Sequence, residues 1–382
     1  MKNLVRICTF CIALVLVGLI NFTGTAMPGQ ALEKFDAKSG ILIEANSGEV
    51  LIEHNSLDRM PIASVTKLTT LLLAFEAIQK GTLSLDKELI ASEYASGMGG
   101  SQVFIEEGGA YKLENLLHAI IISSANDASV MLAEELCGSE QNFVELMNKR
   151  VKELGANNTN YANCTGLPHP NGYSCAHDVA LVMREVVKYP LYFEISGIWM
   201  EDFTHPRGRV TNMANTNKLL RSFAGCDAGK TGSTGEAGYC MSATAKRQDM
   251  RLIAVVLGAE NSKQRFDTCA TMLNYGYDNF SSKCILSDAV IDTDFVIQKS
   301  KNLPNIKPAN GYYALLKKGE DVDFLVNYEF YNLAAPQTAG TVVGKAIITK
   351  NQIVVQEIDL ILQEDVEVMS LWDNVTKIIQ NW

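Results

Sequence analysis

Ser64 and Lys67 are a pair of residues whose types and spacing could do chemistry. Three positions apart on a helix, the two side chains share one face, which brings an amine close to a hydroxyl. A serine hydroxyl is a weak nucleophile alone, and a lysine can accept its proton only when the lysine is neutral. Burial or a second nearby cation lowers the pKa of a lysine in this way. The pair therefore predicts a nucleophile and its base, with another lysine close by.

Two later triplets could complete such a site. Ser124-Ala125-Asn126 falls between two helical patterns, so that a hydroxyl and an amide can point into one cleft. Lys230-Thr231-Gly232 precedes a predicted strand pair and supplies a second cation, with a glycine that permits close backbone approach. Each motif alone is weak, because Ser84-Leu85-Asp86-Lys87 and Ser300-Lys301-Asn302 match two of the patterns by chance. The ordered set of three motifs is what predicts a function.

That ordered set resembles the S-x-x-K, S-x-N and K-T-G motifs of penicillin-binding proteins and serine β-lactamases. Flanking residues narrow the resemblance to the low-molecular-mass D-alanyl-D-alanine carboxypeptidases, over about residues 35 to 370. The resemblance implies an α+β fold, in which a β-lactamase/transpeptidase-like domain, an antiparallel sheet with a helical cluster, precedes a small all-β domain. The flanking segments are Pro61-Ile62-Ala63, residues 123–128, residues 215–220 and residues 236–240.

The resemblance also implies a reaction and a site. A serine-type peptidase would remove the terminal D-alanine from peptidoglycan pentapeptides ending in D-Ala-D-Ala, through an acyl-enzyme, with β-lactam antibiotics as covalent inhibitors and no cofactor. Backbone N–H groups of Ser64 and Ser233 would form the oxyanion hole. Eight residues would form the site: catalytic Ser64, Lys67 and Ser124, and substrate-binding Asn126, Lys230, Thr231, Gly232 and Ser233.

Two loop segments depart from the pattern of that family. Cys164 stands where the family commonly has proline, and Gly172 and Cys175 stand where it commonly has histidine and threonine. Both departures lie in or beside the loop of residues 157–173, so they affect the expected substrate contacts of this loop and leave the catalytic set intact.

Three alternative functions are weighed against this one. A class A β-lactamase needs a Glu on a loop after the second motif, and residues 157–173 contain neither Glu nor Asp. Gly225 to Thr231 resembles a phosphate-binding loop but has three residues between its glycines, where four are needed. A non-enzymatic wall-binding protein would not need the three motifs together. Metal catalysis is not expected either, because the five His residues show no pair at ligand spacing.

Composition and the chain ends indicate export. Lys2 and Arg6 precede an apolar run over residues 7–20 and then small residues, which is the pattern of a secretory signal peptide. The formal net charge is −10, and −12 without this segment, which argues against nucleic acid as a partner. Seven cysteines remain after the signal; this odd number does not indicate a disulfide framework, and one or two bridges stay open.

Hydrophobic patterns divide the chain into four parts: a signal peptide at 1–31, a catalytic domain at 32–286, an all-β domain at 287–366 and an amphipathic terminal helix at 367–382. Trp372 and Trp382 suit a membrane interface, so we expect peripheral membrane contact at the extracytoplasmic face of the cell membrane, or a secreted protein. Within the catalytic domain the patterns predict hairpins at 40–54 and 238–257, and helices at 63–79, 113–122, 128–137, 141–154, 175–188 and 263–277.

Overall fold

The structure is a computed structural model that describes residues 35–370 and Asp373. The predicted signal peptide and most of the predicted terminal helix lie outside these residues. In chain order the elements are β1 (Ser39–Glu44), β2 (Val50–His54), α1 (Lys67–Gln79), β3 (Glu88–Ile90), α2 (Glu93–Ser96), β4 (Ala110–Lys112), α3 (Leu113–Ile122), α4 (Asn126–Cys137), α5 (Glu140–Glu153), α6 (Ala176–Val186), α7 (Pro190–Ser196), β5 (Met200–Thr204), β6 (Val210–Ala214), α8 (Leu219–Ser222), β7 (Cys226–Thr234), β8 (Gly238–Arg247), β9 (Met250–Ala259), α9 (Ser262–Asn279), β10 (Phe280–Leu286), β11 (Ile306–Pro308), β12 (Tyr312–Lys317), β13 (Phe324–Phe330), β14 (Val342–Lys350) and β15 (Ile353–Leu362).

A five-stranded antiparallel sheet with the order β2-β1-β9-β8-β7 forms the frame of the first domain. Its central strand β9 is apolar along nearly its whole length, because both faces of the sheet are covered. Helices α9 and α8 pack on one face, and α6 and α7 pack on the other. The predicted α+β class, with an antiparallel sheet and a helical cluster, is therefore confirmed.

Helix α1 lies inside the helical cluster and carries the site. Residues 67–75 of this helix are all buried, which explains why its sequence is apolar around the whole circumference. It contacts α4, α5 and α6. A helix held on all sides fixes its first residue, Lys67, and the 3₁₀ turn directly before it, which contains Ser64.

The predicted helices and hairpins of this domain are found within a few residues of the predicted ends, but the K-T-G triplet is placed differently. The sequence analysis put Lys230-Thr231-Gly232 before a strand pair, whereas these residues lie inside β7, which pairs with β8. Strand β7 escaped detection because Cys226–Thr234 is rich in small residues and lacks an apolar alternation. The prediction that this triplet precedes the strands was therefore wrong.

The C-terminal strands form a sheet with the order β11-β15-β14-β13 and a separate pair, β10 and β12. Alternation is clear in β15, where Ile358, Leu360 and Leu362 are buried and Glu357 and Asp359 are exposed. Strand β10 precedes the predicted boundary at residue 287, yet it pairs with β12, so strand pairing extends this all-β unit toward residue 280.

The segment after the second sheet differs from the predicted helix at its start. Residues 367–370 are not helical, and Val368 forms an antiparallel bridge with Ser300. Ser370 and Asp373 then exchange hydrogen bonds, each side chain accepting from the backbone N–H of the other, at 3.2 and 2.9 Å. Reciprocal bonds of this kind are the capping pattern with which a helix begins. Over the residues described, no helix is both long and apolar enough to cross a membrane.

Candidate active site

Ser64 lies in a short 3₁₀ helix, Ala63–Thr66, that runs directly into α1. The Lys67 Nζ atom lies 3.0 Å from Ser64 Oγ. Ser64 is partly exposed, while Lys67 is completely buried. Ala63 has a φ of 48°, a left-handed conformation that costs a non-glycine residue on the order of 1–3 kcal/mol. The predicted pair is therefore formed, with the hydroxyl reachable and the amine shielded from water.

The Lys67 amine has two more partners besides Ser64. Asn126 Oδ1 lies 2.6 Å from Lys67 Nζ, and the backbone carbonyl oxygen of Thr165 lies 2.7 Å away. These two atoms can only accept hydrogen bonds, so a neutral amine directs its two hydrogens at them. Its lone pair is then left for the Ser64 hydroxyl proton. The contacts of Lys67 thus orient it as a base.

The pKa of Lys67 is lowered to about 7, mainly because burial disfavours the charged form, and Cys164 and Asp127 act in the opposite direction. The sequence analysis named burial or a second cation as the cause, with Lys230 as that cation. Burial is the main cause at Lys67, whereas the charge of Lys67 helps to lower the pKa of Lys230, which burial lowers most. The sequence analysis predicted correctly that the two lysines lie close together. It expected Lys230 to lower the pKa of Lys67, whereas of the two it is Lys67 that helps to lower the pKa of Lys230.

Ser124 and Asn126 connect the two lysines. Lys230 Nζ donates to Ser124 Oγ at 2.7 Å and to the Thr231 carbonyl oxygen at 2.9 Å, while Asn126 accepts from Lys67. The two residues lie between the end of α3 and the start of α4, as predicted. Ser124 has a φ of 64°, again in the left-handed region. This strained turn directs one side chain of the triplet to each lysine.

Gly232 brings β7 against the start of the nucleophile helix. A Cβ atom on Gly232 would lie 2.7 Å from the Ser64 backbone nitrogen and 2.9 Å from the Ile62 carbonyl oxygen, so only glycine fits without a shift. Strand β7 is an edge strand, with β8 on one side only. Thr231 donates through Oγ1 to Thr216 Oγ1 at 2.7 Å, and the next residue but one, Ser233, is exposed. The free edge of β7 therefore borders Ser64.

The loop of residues 157–173 closes the site from the opposite side. Asn163 Oδ1 accepts from the backbone N–H groups of Thr165 and Gly166, which directs the Thr165 carbonyl toward Lys67. Gly166 has a φ of 81°, and a Cβ there would lie 1.9 Å from the Ala63 carbonyl oxygen. The sequence analysis missed both Thr165 and Gly166, because a carbonyl ligand leaves no trace in side-chain type.

The unusual Cys164 has a structural explanation. Its backbone N–H donates to Glu140 Oε1 at 2.9 Å, and its carbonyl oxygen accepts from Thr70 Oγ1 at 2.7 Å. A proline has no N–H and could not make the first bond. Burial raises the pKa of the Cys164 thiol well above its usual range, so this thiol stays protonated and inert. In this protein the Cys164 N–H therefore ties the loop to Glu140, at the start of α5.

Asp127 is a third residue that the sequence analysis did not single out. Its buried carboxylate accepts from the backbone N–H groups of Val103 and Ile105 at 3.0 to 3.2 Å. The segment before them supplies the Gly99 carbonyl, which accepts from Asn126 Nδ2 at 2.7 Å. Asp127 thus holds the backbone around Asn126. The sequence does contain a signal that could have identified Asp127, because this acid directly follows the S-x-N motif.

The chance matches lie apart from this constellation. Ser84 and Lys87 lie in a turn before β3, where Lys87 pairs with Glu135, and Ser300 belongs to the C-terminal part. The residues from Gly225 to Thr231 lead into and along a strand instead of a phosphate-binding loop. Within residues 35–370 no group of His, Cys, Asp and Glu could hold a metal ion, and the seven cysteines there are unbridged.

Comparison with known proteins agrees with the geometry. The D-alanyl-D-alanine carboxypeptidase family model matches residues 25–261, and that of the penicillin-binding protein 5 C-terminal domain matches residues 282–368. D-alanyl-D-alanine carboxypeptidase DacF of Bacillus subtilis is 36% identical over 87% of this chain and 86% of its own. DacC of Escherichia coli is 31% identical over 91% and 89%. The crystal structure of penicillin binding protein 5 from Haemophilus influenzae, 30% identical, covers 89% of this chain and 100% of its own with a TM-score of 0.69.

The close approach of Gly166 to Ala63 makes a testable prediction. Gly166→Ala should slow acylation by a penicillin about tenfold or more, because the added Cβ pushes the loop away from Ser64 and withdraws the Thr165 carbonyl from Lys67. Gly155→Ala is the matched control, since Gly155 also has a φ of 81° but has nothing within 4 Å of an added Cβ. Stopped-flow acylation should show the control at the parent rate. Equal rates for the two variants would contradict the positioning role of the loop.

Proposed function

Because the chain belongs to the D-alanyl-D-alanine carboxypeptidase family, we propose how its own residues carry out that reaction. The enzyme is a serine peptidase and a penicillin-binding protein, and it acts on the cell wall outside the cytoplasm. The observation that supports the assignment of residues best is the contact between the buried Lys67 amine and Ser64 Oγ, at 3.0 Å.

Acylation begins with Ser64. Its hydroxyl proton passes to the neutral Lys67 amine as Ser64 Oγ bonds to the carbonyl carbon between the two terminal D-alanines. The negative charge that develops on the carbonyl oxygen is stabilised by the backbone N–H groups of Ser64 and Ser233. Ser64 is at the start of a helix, where unpaired N–H groups favour negative charge. Asn126 holds the substrate amide beside Lys67.

The leaving amine needs a proton as the C–N bond breaks. Ser124 is placed to deliver it, because its hydroxyl touches Lys230 and lies two residues from Asn126, the partner of Lys67. The proton that Lys67 took from Ser64 replaces the one that Ser124 gives up, so both groups return to their neutral forms. Free D-alanine departs and leaves an ester on Ser64. A water molecule then attacks this ester, which restores the Ser64 hydroxyl and releases the shortened peptide.

Lys230 and Thr231 give the enzyme its requirement for a free carboxylate. Burial lowers the pKa of Lys230 well below its usual value, and an arriving carboxylate would raise this pKa again. Binding of the peptide terminus therefore favours a charged Lys230, which forms a charge-assisted bond with the carboxylate. A substrate cut at an internal peptide bond has no free carboxylate at this position. The buried Lys230 amine would then lack an anionic partner.

The β-lactamase alternative has no support at the position where it would need a second base. The loop of residues 157–173 carries no carboxylate, and the nearby Glu140 accepts from the Cys164 N–H and from the Tyr94 hydroxyl. Nearly the whole chain aligns with D-alanyl-D-alanine carboxypeptidases and with penicillin binding protein 5. The acyl-enzyme formed with penicillin is therefore expected to be long-lived.

Ser64→Ala should abolish covalent labelling by a fluorescent penicillin, because the atom that forms the ester is removed. The parent protein should keep its label for minutes, measured by gel fluorescence after excess unlabelled penicillin is added. Ser84→Ala, in the chance S-x-x-K match, is the control and should label normally. Undiminished labelling of Ser64→Ala would overturn the nucleophile, and a parent label lost within a second would indicate a β-lactamase.

Acylation should depend on pH through the protonation of Lys67. The base form is the neutral amine, so the second-order acylation rate should fall below the Lys67 pKa of about 7 and level off above it. Lys67→Ala should bind penicillin but acylate at least about 100-fold more slowly, since general base catalysis contributes roughly 10² to 10⁴. A rate independent of pH from 5 to 9, or a Lys67→Ala variant with the parent rate, would rule out Lys67 as the base.

We further propose that the segment of residues 367–382 makes peripheral contact with the extracytoplasmic face of the membrane. In support, Trp372 and Trp382 fall on the apolar positions of an amphipathic pattern, and Ser370 and Asp373 form the bonds of a helix start. Asp365, Glu367 and Asp373 would weaken attraction to anionic lipid, so apolar contact would carry the binding.

This contact can be tested with the full mature chain. Fractionated membranes should retain it after a high-salt wash and release it in detergent, because apolar burial is insensitive to salt. A Trp372→Ala, Trp382→Ala double variant should move to the soluble fraction while it keeps penicillin labelling. A parent chain found entirely in the soluble fraction would exclude the membrane contact.

A further inference from the structure

The polarity of β7 gives the direction in which a bound peptide runs, if the proposed function holds. Lys230 and Thr231 would take the terminal carboxylate, and Ser64 would face the carbonyl of the fourth residue. A peptide along the free edge of β7, antiparallel to it, would then have its earlier residues near the end of the strand at Thr234. At about 3.3 Å per residue, the third residue of the stem peptide would lie beside Thr234.

A recess of about 370 Å³ opens at this end of β7. Ala63 and Thr234, the chain neighbours of the two proposed oxyanion donors, line it, together with His169 and Tyr173 of the loop of residues 157–173. None of the proposed catalytic steps uses this recess. It lies where the side chain of the third residue would project.

A cation lies next to Tyr173, one of the residues that line this recess. The Arg59 guanidinium lies over the Tyr173 ring, 5.1 Å from its centroid, and Arg59 Nε donates to Asn158 Oδ1 at 3.1 Å. An antiparallel bridge between Met60 and Ser174 holds the two segments side by side. Among the described residues nothing accepts a hydrogen bond from the two Nη groups of Arg59. Because Arg59 is exposed, these two groups can pair with a carboxylate.

We propose that this recess binds the side chain of the third stem-peptide residue and selects one that ends in a carboxylate, such as a diaminopimelate, over lysine. The aliphatic part of the side chain would pack between Tyr173 and the backbone of the Pro61–Ala63 segment. Its terminal carboxylate would form charge-assisted hydrogen bonds with Arg59. A lysine side chain ends only in an ammonium group, which Arg59 repels. Arg59 and Tyr173 are thus residues that determine specificity in the proposed reaction.

The experiment compares three pentapeptides that end in D-Ala-D-Ala and differ only at the third residue: diaminopimelate, the same residue with its side-chain carboxylate amidated, and lysine. Release of D-alanine by the full mature chain gives kcat/KM for each. We expect the acid to be preferred about tenfold or more over both others, which corresponds to about 1.4 kcal/mol. The difference should appear mainly in KM, because the recess makes no contact with the reacting atoms.

Arg59→Gln should remove this preference by lowering use of the diaminopimelate peptide, while use of the lysine peptide stays equal or rises and penicillin labelling stays unchanged. Arg247→Gln is the matched control, since Arg247 also stacks on aromatic rings, those of Phe223 and Tyr277, but lies at the other end of β8. If the parent protein labels normally but uses the three peptides equally, the proposed role of the recess is wrong and the proposed function still stands. The same holds if Arg59→Gln keeps the preference. Failure of the parent to release D-alanine from any peptide would overturn the proposed function, and the inference with it.

Discussion

The burial of Lys67 against Ser64 is the interaction on which the rest of the active site depends. A lysine in water is charged at neutral pH and cannot accept a proton, whereas burial lowers the pKa of Lys67 to about 7. The same burial requires fixed partners for the amine hydrogens, and Asn126 and the Thr165 carbonyl supply them. The site therefore needs a rigid, dry surround, which explains why α1 starts within the helical cluster.

Close backbone contact brings the surrounding segments together. Gly232 on β7 and Gly166 on the loop both lie against the turn that holds Ser64, and neither position has room for a Cβ. Ala63 and Ser124 adopt left-handed conformations that the surrounding packing must maintain. The resulting cleft is bounded by a sheet edge, a helix start and a loop. In the proposed complex an extended peptide lies along the free edge of β7, which is why the direction of the strand matters for specificity.

The motifs predicted which residues meet, because side-chain type and order carry that information. Ser64, Lys67, Ser124, Asn126 and Lys230 lie together as the resemblance implied, and helices such as α3 and α5 were recognised from the spacing of their apolar residues. The contribution of backbone atoms could not be predicted. The Thr165 carbonyl depends on a turn held by Asn163, and β7 consists of small residues whose strand conformation comes from pairing with β8 instead of propensity.

The protonation state of Lys67 can be measured directly by NMR on protein in which the lysine ε-carbons are labelled with ¹³C. We expect one resonance of the full mature chain to titrate near pH 7, and we expect this resonance to be lost in Lys67→Arg. A Lys67 resonance that titrates near 10.5, as an ordinary exposed lysine does, would contradict the buried base and the mechanism built on it.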